Sequence, residues 1–294
     1  MNYIGELFAM VAAFGWVGSS VMFEKASKKV NGMSVNIIRL IIAMAILMGI
    51  TTVTRGLPLP IDATKNMVFY LSISGMMGLF IGDFFLYRAY NLIGARVTLV
   101  LMSLSPILVS LFGFIFLGEK LTIKQLMGII ITCAGVMMVV IKPAVGNRVE
   151  INFSKKGLLF AILAVLGESV GIIFTKMGSV NYDAFATTQL RSIPAILAFI
   201  ACITYKKEWK NVKKASQDRE GVIYITLGTI AATLGVCGLV ESMKYAKVGV
   251  ATTIASTSPI LIIPISILYF KEKITRREVI GAGISVLGVS MLFI

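Results

Sequence analysis

The stretch GELFAMVAAFG at residues 5–15 returns as GLLFAILAVLG at residues 157–167, an offset of 152 positions. The same offset, without a gap, places Arg39 on Arg191. Self-similarity over so long a distance is the sequence signature of a duplicated structural unit. The first question is therefore what one unit contains.

A second pair of stretches extends the likeness to the ends of the two units. SLSPIL at residues 103–108 returns as STSPIL at residues 256–261, and 14 of the 39 positions in 103–141 are identical in 256–294. Chance would rarely give this agreement, even in apolar sequence. The chain is predicted to divide into a first unit, a connecting loop and a second unit, at residues 1–141, 142–156 and 157–294.

The composition indicates that both units lie in a membrane. Hydrophobic residues make up 57% of the chain and charged residues 14%, and the mean hydropathy is +0.90. These values exclude a soluble globular enzyme and a disordered chain, since both contain far fewer apolar residues. Apolar runs long enough to span a bilayer as helices fall near residues 3–24, 33–53, 67–87, 95–117, 123–141, 157–177, 184–205, 221–243, 248–270 and 276–293.

Helix is the predicted state of every run, because an open chain in lipid must satisfy its backbone hydrogen bonds internally. Each unit then contains five spanning helices. Since five is odd, the second unit enters the membrane with the opposite orientation to the first. The predicted fold is an all-α membrane protein of ten transmembrane helices in two inverted five-helix repeats, an arrangement that many secondary transporters share.

The residue counts exclude much familiar chemistry. The chain has no histidine, and its three cysteines, Cys133, Cys202 and Cys237, fall in separate apolar runs. No imidazole metal site, His-dependent triad or zinc knuckle is therefore expected, and no Walker A spacing suggests ATP coupling. The net charge of +14 comes mainly from Lys and Arg between the runs, which favours loop anchoring at a bilayer over nucleic-acid binding. We expect no cofactor, no metal and no enzyme activity.

Glu168 is the most informative charge inside a predicted span. It lies about 16 Å along the sixth run, near the bilayer midplane, and stands where the first unit has Trp16. A charged side chain there costs at least ~2.5–3.5 kcal/mol and needs a partner or a wet cavity. The functional interpretation is a cavity carboxylate that takes a proton or pairs with a substrate amine, and the alternative is a neutral packing residue.

One ion pair is predicted on each side of Glu168. Arg39 and Arg191 lie a few residues inside the second and seventh runs, and the inverted repeat directs them toward opposite faces of the membrane. Asp83 lies on the side of Arg39, and Glu241 lies on the side of Arg191. The pairs Arg39 with Asp83 and Arg191 with Glu241 could act as alternating gates or as static contacts that orient helices.

Polar and aromatic side chains near the midplane complete the candidate site. Trp16 offers a stacking surface, and Ser103 and Ser256 stand at equivalent places where hydroxyls could bind substrate. Serine bonding back to its own helix is the commoner outcome. Pro106 and Pro259 are predicted to kink the fourth and ninth helices, because proline removes a backbone hydrogen bond.

The remaining intramembrane charges and glycines have simpler interpretations. Lys176 and the pair Glu119–Lys120 end predicted helices, where long charged side chains reach the interface. GxxxG spacings at Gly78 and Gly82 and at Gly167 and Gly171 indicate close helix packing. A homodimer is a weaker reading of the same spacing.

These residues together resemble the EamA-type ten-helix members of the drug/metabolite transporter superfamily. The resemblance is carried by Trp16, by Arg39, by GARVTLVLMSLSPI at residues 94–107, by LGEKLT at residues 117–122 and by their weaker copies in the second unit. It implies a proton-linked or exchange-type carrier, often an exporter of amino acids or other small metabolites, with a cavity between the halves. It identifies the scaffold and leaves the substrate open.

Two arguments on orientation disagree. Nineteen Lys and Arg residues lie on the side away from the termini and seven on the side of the termini, so the positive-inside rule places both termini outside the cytoplasm. The resemblance implies termini in the cytoplasm. The sequence leaves this point open.

The sequence thus predicts a secondary active transporter in the cell membrane, exporting a small metabolite such as an amino acid or a related compound. Its partners would be the substrate, a proton or an exchanged solute, and the lipid bilayer. The alternative is a membrane-embedded enzyme or an assembly protein that transports nothing. A scaffold of that kind would lose nothing on neutralisation of Glu168.

Overall fold

The computed structural model describes residues 3–27, 29–102, 104–140, 154–258, 260–261 and 276–293, and within these ranges all regular structure is helical. The elements are α1 (Ile4–Ser27), α2 (Gly32–Arg55), α3 (Lys65–Ser74), a π-helical segment (Gly75–Gly82), α4 (Asp83–Met102), α5 (Ser105–Leu117), α6 (Ile123–Val140), α7 (Lys155–Gly178), α8 (Ala184–Tyr205), α9 (Trp209–Gln217), α10 (Arg219–Tyr245), α11 (Val248–Ala255), α12 (Arg276–Ser290) and a 3₁₀ turn (Met291–Phe293).

Six helical stretches in the described ranges are long and apolar enough to cross a membrane. They are Ile4–Phe23, Gly32–Arg55, Lys65–Leu86, Lys155–Gly178, Ala184–Tyr205 and Arg219–Tyr245. Large apolar side chains such as Phe116 and Leu197 point outward and are more than 60% exposed, as lipid-facing residues would be. The chain is a multi-pass membrane protein. We call the end of the bundle where α1 begins the Ile4 side, and the end where α1 stops the Ser27 side.

Helix ends are set by local capping. The side chains of Asn31, Thr64, Asp183 and Asp218 each accept a hydrogen bond from a backbone N–H in the first turn of the following helix. Such bonds satisfy amides that have no partner within the helix. Gly56 and Gly118 end α2 and α5 in the left-handed conformation, which glycine adopts without steric cost.

The predicted connection between the third and fourth runs is wrong. The sequence indicated a break between residues 87 and 95, but the chain stays helical from Lys65 through Met102. Hydropathy falls in RAYNLIG at residues 88–94, yet none of these residues except glycine disfavours a helix, and no proline interrupts them. The drop in hydropathy therefore does not mark a helix end.

Pro106 begins a helix and does not kink one. It occupies the first turn of α5, directly after the interruption that separates α5 from α4. Proline fits this place because the first-turn N–H has no helical partner to lose. The second unit is interrupted at the matching place, since α11 stops at Ala255 before a turn at Ser256 and Thr257. Pro259 lies outside the described residues.

Glycines let the π-helical segment lie directly against α7 and α8. A Cβ built on Gly171 would stand 2.9 Å from the Cα of Gly78, and one on Gly167 would stand 3.1 Å from the Cα of Gly82. A Cβ on Gly75 would overlap the carbonyl oxygen of Arg191. The two GxxxG spacings thus meet each other inside one chain, so they no longer suggest a homodimer.

Two further helix pairs pack through glycine. A Cβ on Gly15 of α1 would stand 2.6 Å from the Cα of Gly235 in α10. In the antiparallel pair α6 and α12, a Cβ on Gly128 would stand 2.8 Å from the oxygen of Gly288, and one on Gly135 would stand 2.6 Å from that of Gly281. Backbones approach this closely only where side chains are absent, as at many membrane helix interfaces.

The basic loop predicted between the seventh and eighth runs contains the short helix α9. Its Val212 packs with Phe199 and its neighbours, and Ala215 is buried, while its lysines are exposed. On the same Ser27 side, Lys29 pairs with Glu220, and this hydrogen bond raises the pKa of the Lys29 ammonium. The Ser27 side is thus lined by solvated positive charge.

The Ile4 side is held together by contacts between loops. The Tyr182 hydroxyl donates a hydrogen bond of 3.0 Å to Oδ1 of Asp62, and Arg55 pairs with the same carboxylate. Partial burial opposes ionisation of Asp62, but the bonds from Tyr182 and Arg55 outweigh it and lower the pKa of this carboxyl. The ionised Asp62 joins the α2–α3 loop to the α7–α8 loop.

Candidate functional site

A cavity of about 160 Å³ lies in the interior of the bundle. Its walls come from α1, the π-helical segment, α4, α7, α8 and α10, and therefore from both predicted repeats. Most of the lining is apolar. The polar exceptions include Asp83, Glu168, Thr175 and Arg191, which makes this cavity the candidate functional site.

Three charged side chains, Asp83, Glu168 and Arg191, line this cavity, and a fourth, Arg39, is bonded to one of them. Arg39 and Asp83 form an ion pair, and Asp83 lies within electrostatic range of both Arg39 and Arg191. Glu168 in turn lies within electrostatic range of Asp83 and Arg191. The two arginines and two carboxylates balance in formal charge. Such a balance lowers the cost of holding ions away from water.

Two side chains, Asp83 and Asn36, bind the guanidinium of Arg39. Its Nη2 contacts Asp83, and its Nε donates a hydrogen bond of 2.7 Å to Oδ1 of Asn36. The guanidinium also lies over the ring of Phe23, 5.7 Å from the ring centre. The pair lies at the Ser27 end of the cavity. About 18% of the Arg39 side chain is exposed, so the pair is only partly buried.

Arg191 is held from the other repeat through a hydroxyl. Its Nε donates a hydrogen bond of 2.8 Å to the Oγ of Ser74 in α3. Ser74 Oγ lies 2.7 Å from the carbonyl oxygen of Gly171 and 2.7 Å from Oγ1 of Thr175, both in α7. Arg191 is only 8% exposed. This buried network fixes the direction of the guanidinium and joins α3, α7 and α8.

Glu168 stands in the cavity wall without a bonded partner. It lies about 20 Å along α7 from Lys155, in a helix about 36 Å long. Among the residues that the structure describes, none forms a hydrogen bond or an ion pair with its carboxylate. A carboxylate in such a place can accept a proton or an ammonium group without first breaking an internal contact.

The predicted pairing of Arg191 with Glu241 is wrong. Glu241 pairs with Lys244, three residues further along α10, at 2.6 Å. Arg191 instead donates a hydrogen bond to Ser74 and lies within electrostatic range of Asp83 and Glu168. Position along a helix indicated a common depth, but the rotation of each residue about its helix axis decides which neighbour it meets. The predicted pair of Arg39 with Asp83 is present, and Arg191 and Glu168 lie within electrostatic range of the Asp83 carboxylate, so the four charges form one cluster.

The other predicted site residues have mixed outcomes. Trp16 lines the cavity and packs against its apolar wall. Ser256 ends α11 and is not among the cavity-lining residues in the described part of the chain. Ser103 lies outside the described residues. Ser105, two positions further along the chain, is buried, and its hydroxyl lies 3.4 Å from that of Ser169.

A second polar contact closes the Ile4 side beside the cavity. Lys176 donates hydrogen bonds to the carbonyl oxygens of Met243 and Ala246 and lies 3.4 Å from Oε1 of Glu119. The other oxygen of Glu119 accepts a bond of 2.7 Å from the N–H of Val248, at the start of α11. The sequence interpretation treated Lys176 and Glu119 as interfacial charges, whereas they join α5, α7, α10 and α11.

Sequence reasoning missed Ser74 and Thr175, which position Arg191. Each is a single hydroxyl in an apolar run, and such residues commonly bond back to their own helix. Only the contact with Arg191, more than a hundred positions away, distinguishes Ser74. In the described ranges no group of three or more Cys, Asp or Glu side chains is arranged to hold a metal ion.

The Arg39–Asp83 pair yields a prediction on stability. Replacing one partner, Arg39→Gln or Asp83→Asn, leaves the other charge without its bond and is expected to cost about 1.5–3 kcal/mol. The double variant removes both charges and should be more stable than either single variant. Thermal unfolding in detergent measures this, with Lys29→Gln as the control because its exposed pair contributes little. If the stability losses of the two single variants simply add in the double variant, the two charges do not stabilise each other and the prediction is contradicted.

The fold and the cavity define a class: a helical multi-pass membrane protein with a charged internal site shared between two halves. Comparison with known proteins agrees. The model of the EamA-like transporter family matches residues 3–141 and again residues 155–294. The chain belongs to the EamA-like transporter family, within the drug/metabolite transporter superfamily.

Relatives of this chain carry transporter names. It is 27% identical over 199 residues to the uncharacterized transporter YetK of Bacillus subtilis (strain 168), which covers 67% of this chain and 59% of that protein. It is 22% identical over 290 residues to an uncharacterized transporter of Archaeoglobus fulgidus, covering 98% and 97% of the two chains. This chain thus spans about three fifths of the length of YetK and nearly all of the archaeal protein.

A solved structure, titled only as the crystal structure of a protein, shares this fold. The two superpose with a TM-score of 0.76 over 99% of this chain and 96% of the other, at 17% identity. At that identity the likeness concerns the fold alone. Family and relatives together indicate a membrane transporter and point away from an enzyme.

Proposed function

We propose that this protein is a secondary active transporter that exports a small metabolite, an amino acid or a related compound, across the cell membrane by alternating access. Transport would occur in exchange for a proton. The observation that carries the proposal is the unbonded carboxylate of Glu168 in a cavity whose walls come from both halves of the chain. Glu168 would bind a proton and a substrate amine in turn.

Competition at one carboxylate is the basis of the exchange. When Glu168 holds a proton it is neutral and cannot pair with an ammonium group, and when it pairs with an ammonium group it cannot hold a proton. If the cavity opens first to one side and then to the other, the two ligands travel in opposite directions. A proton gradient directed inward then drives the metabolite outward.

The glycine contacts support the division into two inverted repeats on which the ten-helix arrangement rests. The offsets of 152 and 153 that align the repeats turn the contact of Gly15 with Gly235 into that of Gly167 with Gly82. The offset of 153 likewise turns the contact of Gly128 with Gly288 into that of Gly281 with Gly135, and both contacts are observed. A two-fold axis in the membrane plane between the halves produces such reciprocal contacts. The double match of the family model fits the same division.

Two polar contacts are suited to closing the cavity at its ends. The Arg39–Asp83 pair lies toward the Ser27 side, and the Lys176–Glu119 contact lies at the Ile4 side. Each joins helices that would have to separate for a solute to pass. We assign the Ser27 side, which carries the larger share of Lys and Arg, to the cytoplasm, because basic loops are retained there.

Proteoliposomes test the proposed function. The purified protein is reconstituted at known density, and uptake from an equimolar pool of the twenty amino acids is measured under an imposed pH gradient of either direction. At least one amino acid should accumulate on the more acidic side of the membrane, against its concentration gradient. A proton leaves that side for each amino acid molecule that enters it. Uptake equal to that of protein-free vesicles in both directions would contradict the proposal.

A further inference from the structure

The guanidinium of Arg191 has donors left over. Its Nε is engaged by Ser74 Oγ at 2.8 Å. Within the described part of the chain, no residue accepts a hydrogen bond from its Nη1 or Nη2. Arginine carries five N–H donors, so four remain for a partner in the cavity. Gly78 leaves the space beside them open, because a Cβ there would stand 3.6 Å from Nη2.

The contrast with Arg39 makes this arrangement informative. The two arginines occupy equivalent places in the two repeats, yet Arg39 meets a carboxylate and Arg191 meets a neutral hydroxyl. Where the first repeat has Asp83, the second has Val236. The charge of Arg39 is therefore neutralised by its own repeat, whereas no residue of the second repeat forms a salt bridge with Arg191 within the described ranges.

A buried guanidinium with its terminal nitrogens free is suited to one class of ligand group. Its two parallel N–H donors match the two oxygens of a carboxylate, which gives both energy and orientation. Arg191 is only 8% exposed and faces a largely apolar cavity, where such a pair is stronger than in water. Glu168 lines the same cavity and offers the opposite charge.

We propose that Arg191, positioned by Ser74, is a subsite for the carboxylate of the substrate, so that transport requires a carboxylate beside the amine. The inference rests on the proposed function, because it names the group that the transported metabolite must carry. Ser74 is a positioning residue: it holds Nε from a different helix and so turns Nη1 and Nη2 toward the cavity. A small zwitterion would pair with Arg191 at one end and with Glu168 at the other.

The test uses wild-type proteoliposomes and three competitors. For the amino acid that accumulates most in the uptake assay, the free acid, its C-terminal amide and its methyl ester are each added outside at increasing concentration. The free acid is expected to compete at least tenfold better than the amide or the ester. Equal competition by all three would overturn the carboxylate subsite but would not contradict the proposed transport function. If no amino acid is taken up, the proposed function fails, and this inference fails with it.

Ser74→Ala tests the positioning role. The variant retains the charge of Arg191 but frees its Nε, so the half-saturating concentration should rise at least fivefold with little change in maximal rate. The preference for the free acid over the amide should shrink by a similar factor. Ser192→Ala is the matched control, since Ser192 is also buried but bonds within its own helix to Thr188. An unchanged preference in folded Ser74→Ala protein would overturn the role of Ser74.

Discussion

Glu168→Gln is expected to abolish accumulation driven by a pH gradient and to weaken exchange of labelled for unlabelled substrate. Glutamine cannot take up a proton under these conditions, so substrate and proton no longer compete for one group. Exchange needs no net proton movement, but it still requires substrate binding, and the neutral amide, like a protonated Glu168, cannot pair with the substrate ammonium. In proteoliposomes the gradient-driven component should fall at least tenfold.

The control for this prediction is Glu220→Gln. It removes an exposed carboxylate that pairs with Lys29 on the Ser27 side, far from the cavity. It should accumulate substrate as the wild type does. Gradient-driven accumulation at the wild-type level in Glu168→Gln would remove this residue from the coupling mechanism. The family assignment would be unaffected, but the exchange proposed above would need another carboxylate.

Gly75→Ala should have the largest effect on the folded protein. An added Cβ would overlap the carbonyl oxygen of Arg191 and stand 2.8 Å from its carbonyl carbon. The obstacle is backbone, which cannot rotate away, so the π-helical segment and α8 would have to separate. Overpacking typically costs about 1–3 kcal/mol, and we expect the upper end or more. Thermal unfolding of the purified protein in detergent measures the loss.

Gly49→Ala provides the matched control. Gly49 also lies within a helix, but a Cβ built on it meets nothing within 4 Å. Because glycine disfavours the helical state by about 0.5–1 kcal/mol relative to alanine, this variant should be as stable as the wild type or slightly more so. Equal melting temperatures for the two variants would contradict the close contact between Gly75 and Arg191.

Much of this fold could be predicted from composition and self-comparison. The hydropathy of the runs indicated helices in a membrane, and the described part of the chain is helical with six stretches of spanning length. The motifs around Arg39 and Leu117–Thr122 indicated the family, which the family model confirms. These features depend on local sequence, and local sequence is what periodicity and motif reasoning can use.

The details that shape the cavity could not be predicted in the same way. The π-helical segment from Gly75 to Gly82 depends on the close approach of α7 and α8, which no local pattern records. The partner of Arg191 was misassigned because sequence gives the depth of a residue more reliably than its direction. Ser74 escaped notice since its role arises only when α3 meets α8.

Alternating access is the central claim, and thiol labelling of the cavity from both faces of the membrane tests it most directly. Leu86 lines the cavity toward the Ser27 side and Met243 lines it toward the Ile4 side. Leu86→Cys and Met243→Cys are made singly after replacing the three native cysteines with serine, and each is treated in sealed vesicles of known orientation with a thiol reagent present on both faces of the membrane. A transported amino acid, or a change in the pH gradient, should raise the labelling rate at one position and lower it at the other. Rates that change together at both positions, or at neither, would contradict a cavity that opens to the two sides in turn.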